Sequence, residues 1–140
     1  MADILPPADE ARLDGMLRSY YAENCIALVV ASIPSLEGQD IDSFGTRLAR
    51  AWTVSDPGVL LLTAPNDRRA RIELSVAVNR VISDDAAGKI IEDSLIPHFR
   101  VGNYVEGTFS GINAVIARLN ADRSNDGLDR TACHQPAEAA

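Results

Sequence analysis

Two unbroken runs of apolar residues stand out along the chain, Cys25–Ile33 and Gly58–Ala64. Such runs are typical of strands that are buried on both faces of a sheet. From Arg69 to Val76 apolar and polar residues alternate instead, which predicts a half-exposed strand. The residues between the last two strands, Pro65 to Arg68, have turn composition, because proline fixes φ and Asn and Asp tolerate the dihedrals of tight turns. The pattern therefore predicts a hairpin over residues 58–76.

Helical spacing of apolar residues predicts four helices around these strands. The first covers about residues 8–23, and the second follows Asp40, whose side chain can cap it. The third begins after Ser83, a second capping residue, and ends or kinks at Pro97. The last follows the break at Val101-Gly-Asn103. The apolar stripes comprise Leu13, Met16, Leu17, Tyr20 and Tyr21; Ile41, Phe44, Leu48 and Trp52; Ile90, Ile91, Leu95 and Ile96; and Val105, Phe109, Ile112, Val115, Ile116 and Leu119.

The order of these elements predicts the fold class. Two buried strands with a helix between them are normally parallel and joined by a right-handed crossover, and the hairpin makes the third strand antiparallel. We therefore expect an α/β three-layer sandwich with a mixed sheet of at least three strands and about four helices. A single domain is predicted for residues 5–120, and the polar residues 121–140 are predicted to be a disordered tail.

Charge and hydropathy argue against a nucleic-acid-binding protein and against a membrane-inserted one. The chain has 13 basic and 20 acidic residues and a net charge of −7. Because no basic stripe is present, we expect no nucleic-acid partner. No apolar run is long enough to span a membrane and no signal peptide opens the chain, so we expect no membrane insertion. These features predict a cytoplasmic protein, or an extracytoplasmic one if the sequence is a trimmed piece of a longer chain.

The two cysteines give no signal for a disulfide or a zinc site. Cys25 lies in a predicted strand and Cys133 in the predicted tail. Their spacing matches neither a disulfide framework nor a metal-binding motif. We therefore expect Cys25 to be a small core residue.

The hairpin predicts one place where polar residues converge. With the turn at its tip, the numbers of paired residues sum to about 133, so Asp56 faces the segment near Ala77 at the open end. Asn79, Asp84 and Asp85 follow closely. Such hard oxygen ligands suit weakly bound Ca²⁺ or Mg²⁺. The alternative is structural: acids favour the first turn of a helix, and Asp-Pro-Gly is ordinary turn composition.

Catalytic residues are not identified by the sequence, and whether the protein is an enzyme stays open. His98 has no assignable partner acid or nucleophile, so a surface or packing role is favoured. Asp67 and Arg68 are interpreted as turn residues. Asp40-Ile-Asp42 opens a helix instead of ending a strand, which disfavours an aspartyl-phosphate nucleophile. Metal-activated water is the remaining route to hydrolysis.

Several ordered motifs over about residues 5–119 resemble the TPM domain family. Asp56-Pro-Gly-Val-Leu-Leu-Leu62 resembles the family's D-N-G-V-L-L stretch, and Asn66-Asp67-Arg68 its D-D-R turn. Val81-Ile-Ser-Asp84 with Gly88-Lys-Ile-Ile91 is similar to its V-L-T-D…A-G-R-I-I segment. Pro97-x-Phe99-Arg100-x-Gly102-x-Tyr104-x-x-Gly107 and the loop Ser35-Leu36-Glu37-Gly38 add to the resemblance.

The resemblance implies an α/β sandwich, and in this family exported or membrane-anchored domains are common. Some members are described as acid phosphatases or divalent-metal binders, and others take part in repair or assembly of membrane complexes. One segment departs from the family: Ser75-Val-Ala-Val-Asn79 stands where G-Y-G-L-E is usual. Both glycines and the carboxylate are replaced.

Two functions follow as expectations. The first is a binding or interaction module with a degenerate divalent-metal site, whose partner is an unidentified protein or membrane complex. The alternative is a metal-dependent acid phosphatase, with Asp56 and Asp84 as ligands and Asp85 or Asn79 assisting.

Overall fold

The computed structural model describes residues 5–33, 35–51, 57–121, 126–131 and 133. Its sheet has three strands in the order β1 (Ala27–Ser32), β2 (Gly58–Ala64) and β3 (Arg69–Leu74). β1 is parallel to β2, and β3 is antiparallel to β2. The predicted mixed sheet is therefore confirmed.

The hairpin has the predicted register. Val59 pairs with Leu74 and Leu60 with Glu73, so the residue numbers of each pair sum to 133. A short 3₁₀ turn, Pro65–Asp67, forms the tip, and Arg68 follows it with a left-handed φ of 52°. Every residue of β2 is buried, as expected for the central strand of a covered sheet.

In the described residues, six α-helices accompany the sheet: α1 (Pro7–Asn24), α2 (Ile41–Ala51), α3 (Val76–Asn79), α4 (Asp84–Ile90), α5 (Ile96–Arg100) and α6 (Tyr104–Asn120). A π-helical segment, Ile91–Leu95, joins α4 to α5. Pro97 lies in the first turn of α5, where its missing N–H costs no intrahelical bond. The chain therefore stays helical past Pro97. Asp40 caps α2 by accepting from the Ser43 backbone N–H at 3.0 Å, and Ser83 caps α4 by accepting from the Ala86 N–H at 3.1 Å.

The sheet lies between two helical layers, which confirms the three-layer fold. On one face α2 packs its apolar side against β2, and this smaller core includes Ile41, Leu60 and Leu62. The other face is covered by the remaining helices. Residues of this larger core include Leu13, Leu28, Val59, Leu61, Ile72, Leu95, Phe99, Ile112, Val115 and Leu119. Trp52, predicted for the stripe of α2, lies outside the described residues.

Two predicted strand ends are wrong. β1 begins at Ala27, because Cys25 is the left-handed C-cap of α1, with a φ of 58° and its N–H donating to the Tyr21 carbonyl. β3 ends at Leu74, because the chain turns at Ser75 into α3. Val76, predicted to share the buried face of β3, is 69% exposed.

The cysteine prediction is also wrong. Cys25 and Cys133 form a disulfide that joins positions 108 residues apart. Cys25 is nevertheless buried, as expected of a core residue. Sequence spacing carried no signal because the pairing depends on how the chain beyond α6 folds back onto the end of α1.

Residues 126–131 and 133, here called the C-terminal strap, belong to the segment predicted to be a disordered tail. Arg130 anchors the strap, and its side chain is only 10% exposed. Its guanidinium bonds Asp126 at 2.6 Å and the Asn24 carboxamide oxygen at 3.0 Å. Burial alone would lower the pKa of Arg130, but hydrogen bonds to Asp126 and Tyr20 raise it. The strap is thus tied to α1, while the domain boundary at residue 120 stays a prediction.

Candidate functional site

The predicted site lies at the open end of the β2–β3 hairpin. Asp56 lies outside the described residues, whereas Gly58, two residues later, is described. The Gly58 N–H donates to the Ser75 hydroxyl at 2.9 Å, and the Ser75 N–H donates to the Gly58 carbonyl at 3.0 Å. Ser75 thus closes the hairpin with both its backbone and its side chain.

Two of the four predicted ligands meet at this end. The Asn79 side-chain nitrogen donates to the Asp84 carboxylate at 3.2 Å and to the Ile82 carbonyl at 3.1 Å. The Ile82 carbonyl can only accept a hydrogen bond, so it requires the nitrogen of the Asn79 amide on this side. The group that faces the Asp84 carboxylate is therefore a donor and not an oxygen ligand.

The two acids occupy the first turn of α4. Asp84 and Asp85 are exposed and follow the Ser83 cap, where the helix dipole favours negative charge. Asp85 takes no part in the contact between Asn79 and Asp84. Such a placement is expected if the two acids only stabilise the start of α4. Ligation of a metal by them stays a prediction.

The described residues hold no preformed metal centre. Within residues 5–33, 35–51, 57–121, 126–131 and 133, no group of three or more His, Cys, Asp or Glu side chains is arranged to hold a metal ion. Asp56, the fourth predicted ligand, lies outside these ranges.

The segment Ser75–Asn79 has a structural part in the fold. Val78 is fully buried in the larger core, and the Asn79 N–H donates to the Ser75 carbonyl at 2.8 Å. Ser75 forms hydrogen bonds that close the hairpin, and Asn79 forms one with Asp84 at the start of α4. Where the family pattern has two glycines and an acid, this chain has packing and hydrogen-bonding groups.

A second polar cluster, between α2 and β3, was not predicted. Arg71 Nε lies 3.0 Å from Glu73 Oε1, and Arg71 Nη1 lies 3.6 Å from Asp42. The Thr46 hydroxyl donates to Glu73 Oε1 at 3.3 Å. Burial alone would lower the pKa of Arg71, but the hydrogen bond and charge of Glu73 raise it. Gly45, whose missing side chain admits Arg71 and Glu73, was the sequence signal for this close approach.

The tip of the hairpin is tied to the loop after β1. The Asp67 carboxylate accepts from the Leu36 N–H at 2.6 Å and from the Ser35 hydroxyl at 3.2 Å. Two motifs of the family resemblance therefore meet at the carboxyl ends of the parallel strands. Asp67, interpreted as a turn residue, also positions the neighbouring loop.

His98 has an acidic neighbour that the sequence did not reveal. Its Nδ1 lies 3.8 Å from Glu106 Oε2, across the turn between α5 and α6. Glu106 is 71% exposed and His98 is partly exposed, so solvent screens the pair. The contact joins two adjacent helices at the surface.

The fold and this polar end define a class of protein: three-layer α/β domains with a mixed sheet and a hairpin that turns directly into a short helix. The sequence profile of the TPM domain family matches residues 1–118. The chain belongs to the TPM domain family.

Solved structures support the same assignment. The N-terminal domain of a Porphyromonas gingivalis (P.gingivalis) protein is 32% identical, with a TM-score of 0.79 over 86% of this chain and 79% of that chain. The BA42 protein of the psychrophilic bacterium Bizionia argentinensis is 18% identical, with a TM-score of 0.70 over 86% of this chain and 85% of that chain. The second likeness is one of fold alone. Among curated proteins, none matches this chain.

In the described part of the chain, no helix has both the length and the apolar character needed to cross a bilayer.

Proposed function

We propose that this TPM domain is a binding or interaction module whose divalent-metal site is degenerate. The observation that carries the proposal is the Asn79 amide nitrogen, which donates to the Asp84 carboxylate at 3.2 Å. A carboxylate at this position would add an oxygen ligand and a negative charge, whereas the amide nitrogen neither ligates a cation nor supplies charge.

The remaining ligands are few for a hard cation. Ca²⁺ takes six to eight oxygen ligands, and Mg²⁺ needs near-octahedral geometry. Asp84 and Asp85 are exposed, so their charges act through water and are screened by salt. With Asp56 as the only other predicted carboxylate, we expect binding too weak to organise a water molecule for hydrolysis.

The packing of Ser75–Asn79 supports an adapted role for this segment. The side chains of Ser75 and Asn79, which stand where the family has a glycine and an acid, both take part in hydrogen bonds within the fold. Here Ser75 bonds Gly58, and Asn79 bonds Ile82 and Asp84. These hydrogen bonds join the two strands at the open end of the hairpin and connect α3 to the start of α4.

The partner is expected to be a protein or a membrane-associated complex. A net charge of −7 favours a basic surface on that partner. The Cys25–Cys133 disulfide favours an oxidising compartment, because cytosolic thiols are normally kept reduced. We therefore propose an extracytoplasmic location, in place of the cytoplasmic one that the sequence favoured.

Paired assays test the proposal against the phosphatase alternative. Hydrolysis of a phosphate monoester at acid pH would be measured with Ca²⁺ or Mg²⁺ for the wild type and for Asp56→Asn. We expect no metal-dependent turnover in either protein. Metal-dependent turnover in the wild type that Asp56→Asn abolishes would overturn the proposal and establish the alternative.

A further inference from the structure

Along the outer edge of β1, alternate residues direct their backbone N–H and C=O groups away from β2. The Ala27 N–H donates to Pro57 at 3.1 Å and the Ile33 N–H to Thr63 at 2.9 Å, so alternate residues bond β2. The N–H and C=O groups of Leu28 and Val30 point the other way. Within the described part of the chain the sheet ends at β1, and no further strand pairs with this edge.

The sequence of β1 itself contains none of the residues that usually protect an edge strand against pairing. Natural edge strands carry lysine, proline, bulges or covering loops, whereas β1 is Ala-Leu-Val-Val-Ala-Ser. A groove runs between β1 and α1, and Tyr21 beside it is 43% exposed. The groove is lined by Asp14, Leu17, Arg18, Tyr21, Ala27, Leu28, Val29 and Val30.

We propose that β1 pairs antiparallel with β1 of a second copy of this chain, which joins two three-stranded sheets into one. A two-fold axis at Val29 places Leu28 of each copy opposite Val30 of the other. Both residues direct their N–H and C=O groups outward, so each pair exchanges two backbone hydrogen bonds. The edge is therefore complementary to itself, as an isologous dimer requires.

The positions of Asp14 and Arg18 on α1 are compatible with the same two-fold axis. α1 ends just before β1 and packs back along it. The groove spans positions 14–21 of α1 and 27–30 of β1, so with rises of about 1.5 Å per helical residue and about 3.3 Å per strand residue Val29 lies beside about position 16 of α1. Asp14 and Arg18 lie equally far on either side of that position.

An axis there brings Asp14 of each copy close to Arg18 of the other. Within one copy these side chains already form an ion pair at 2.8 Å, with 58% and 81% of the side chains exposed. They can therefore reorient at little cost and form two ion pairs across the axis. This charge complementarity favours a second copy over an unrelated peptide strand.

Charge reversal tests the pairing by sedimentation over a range of concentrations. We expect a monomer–dimer equilibrium for the wild type. Asp14→Arg or Arg18→Asp alone brings like charges together at two symmetric places and weakens dimerisation about tenfold. An equimolar mixture of the two single variants restores it, because the like charges that remain within each copy then face opposite charges of the other copy. This rescue identifies a contact across the axis, whereas the double variant Asp14→Arg/Arg18→Asp would also restore the ion pair within each copy.

The exposed pair Lys89–Asp93 on α4 and the π-helical segment provides the matched control, since it has the same spacing. Reversing Asp93→Arg leaves the dimer unchanged. Val30→Pro, which removes an outward N–H without breaking a bond to β2, gives a folded monomer. A wild type that stays monomeric at every concentration, or a dimer insensitive to the α1 reversals, would overturn the proposal. None of these outcomes depends on the metal site.

Discussion

At the scale of single residues, Gly107 shows most directly how sequence fixes packing. A Cβ atom at this position would lie 2.7 Å and 2.8 Å from two ring carbons of Phe99. Phe99 is 1% exposed and packs edge-on against Tyr104, so its ring has little room to move. Glycine is therefore required for the close approach of α5 and α6.

Gly107→Ala should lower the free energy of unfolding by about 1–3 kcal/mol, because the added methyl group overpacks the core. Gly15→Ala is the matched control: it also changes a helical glycine, but nothing lies within 4 Å of its added Cβ. That variant should gain up to about 1 kcal/mol from helix propensity. Urea denaturation measures both, and a neutral or stabilising Gly107→Ala would refute the packing.

Asp40, the residue that caps α2, makes the stability of the fold depend on pH. Its pKa is lowered by the hydrogen bonds that it accepts from the Ser43 backbone and hydroxyl. A lowered folded-state pKa means that the ionised cap stabilises the fold above the pKa of the unfolded chain. This stabilisation is lost as the pH falls through the folded-state pKa.

Asp40→Asn keeps a side chain that can cap α2 but does not titrate. The variant should melt near the wild-type temperature at neutral pH. The difference in melting temperature between the two proteins should change below about pH 4. Thermal melts across a pH series measure this difference. Parallel curves at all pH values would show that Asp40 contributes nothing to acid sensitivity.

At the scale of elements, the central hairpin was predictable because its two signals agree. A continuous apolar run and an alternating run flank a turn of proline, asparagine and aspartate, and these fix both strands and their register. The ends of the elements were harder to predict. The left-handed cap at Cys25 and the turn at Ser75 depend on backbone hydrogen bonds, which hydrophobic pattern does not encode.

The candidate site was predictable only in part for the same reason. Register placed Asn79 and Asp84 at one end of the hairpin, and the structure brings them into contact. The direction of the Asn79 amide depends on the Ile82 carbonyl, a backbone group without any sequence signature. The cluster of Arg71, Glu73 and Asp42 was missed because it requires the position of α2 over β3.

Asn79→Glu should return a carboxylate to the open end of the hairpin. The added acid lies beside Asp84, and two close carboxylates favour a divalent cation. The variant should therefore bind Ca²⁺ measurably in a calorimetric titration, while Asn79→Gln, similar in size but uncharged, should not. Equal behaviour of the two variants would show that the missing acid is not what weakens the site.

At the scale of the whole molecule, the disulfide and the strap tie the end of the chain to its first helix. The Cys25–Cys133 bond closes a loop across 108 residues, and Arg130 contacts both α1 and the end of α6. Composition predicted a tail here because polar residues dominate after residue 121. Arg130 and Cys133 alone do not form a sequence pattern from which the contact between the strap and α1 could be predicted.

Cys133→Ser should lower the free energy of unfolding by about 2–4 kcal/mol, since the unfolded chain regains the entropy of an open loop. Wild-type protein in a dithiol reductant should show the same loss, and the reductant should not affect the variant. Denaturation with and without reductant makes the comparison. Identical stability of oxidised and reduced wild type would contradict a stabilising disulfide.

We propose above all that the open end of the hairpin is a degenerate site that binds divalent metals too weakly to support hydrolysis. An amide NMR titration with Ca²⁺ and Mg²⁺, at constant ionic strength, tests it most directly. We expect no saturable shifts at Asp56, Asn79, Asp84 or Asp85 in the wild type. Saturable wild-type shifts clustered at Asp56 and Asp84, and abolished by Asp56→Asn, would contradict it.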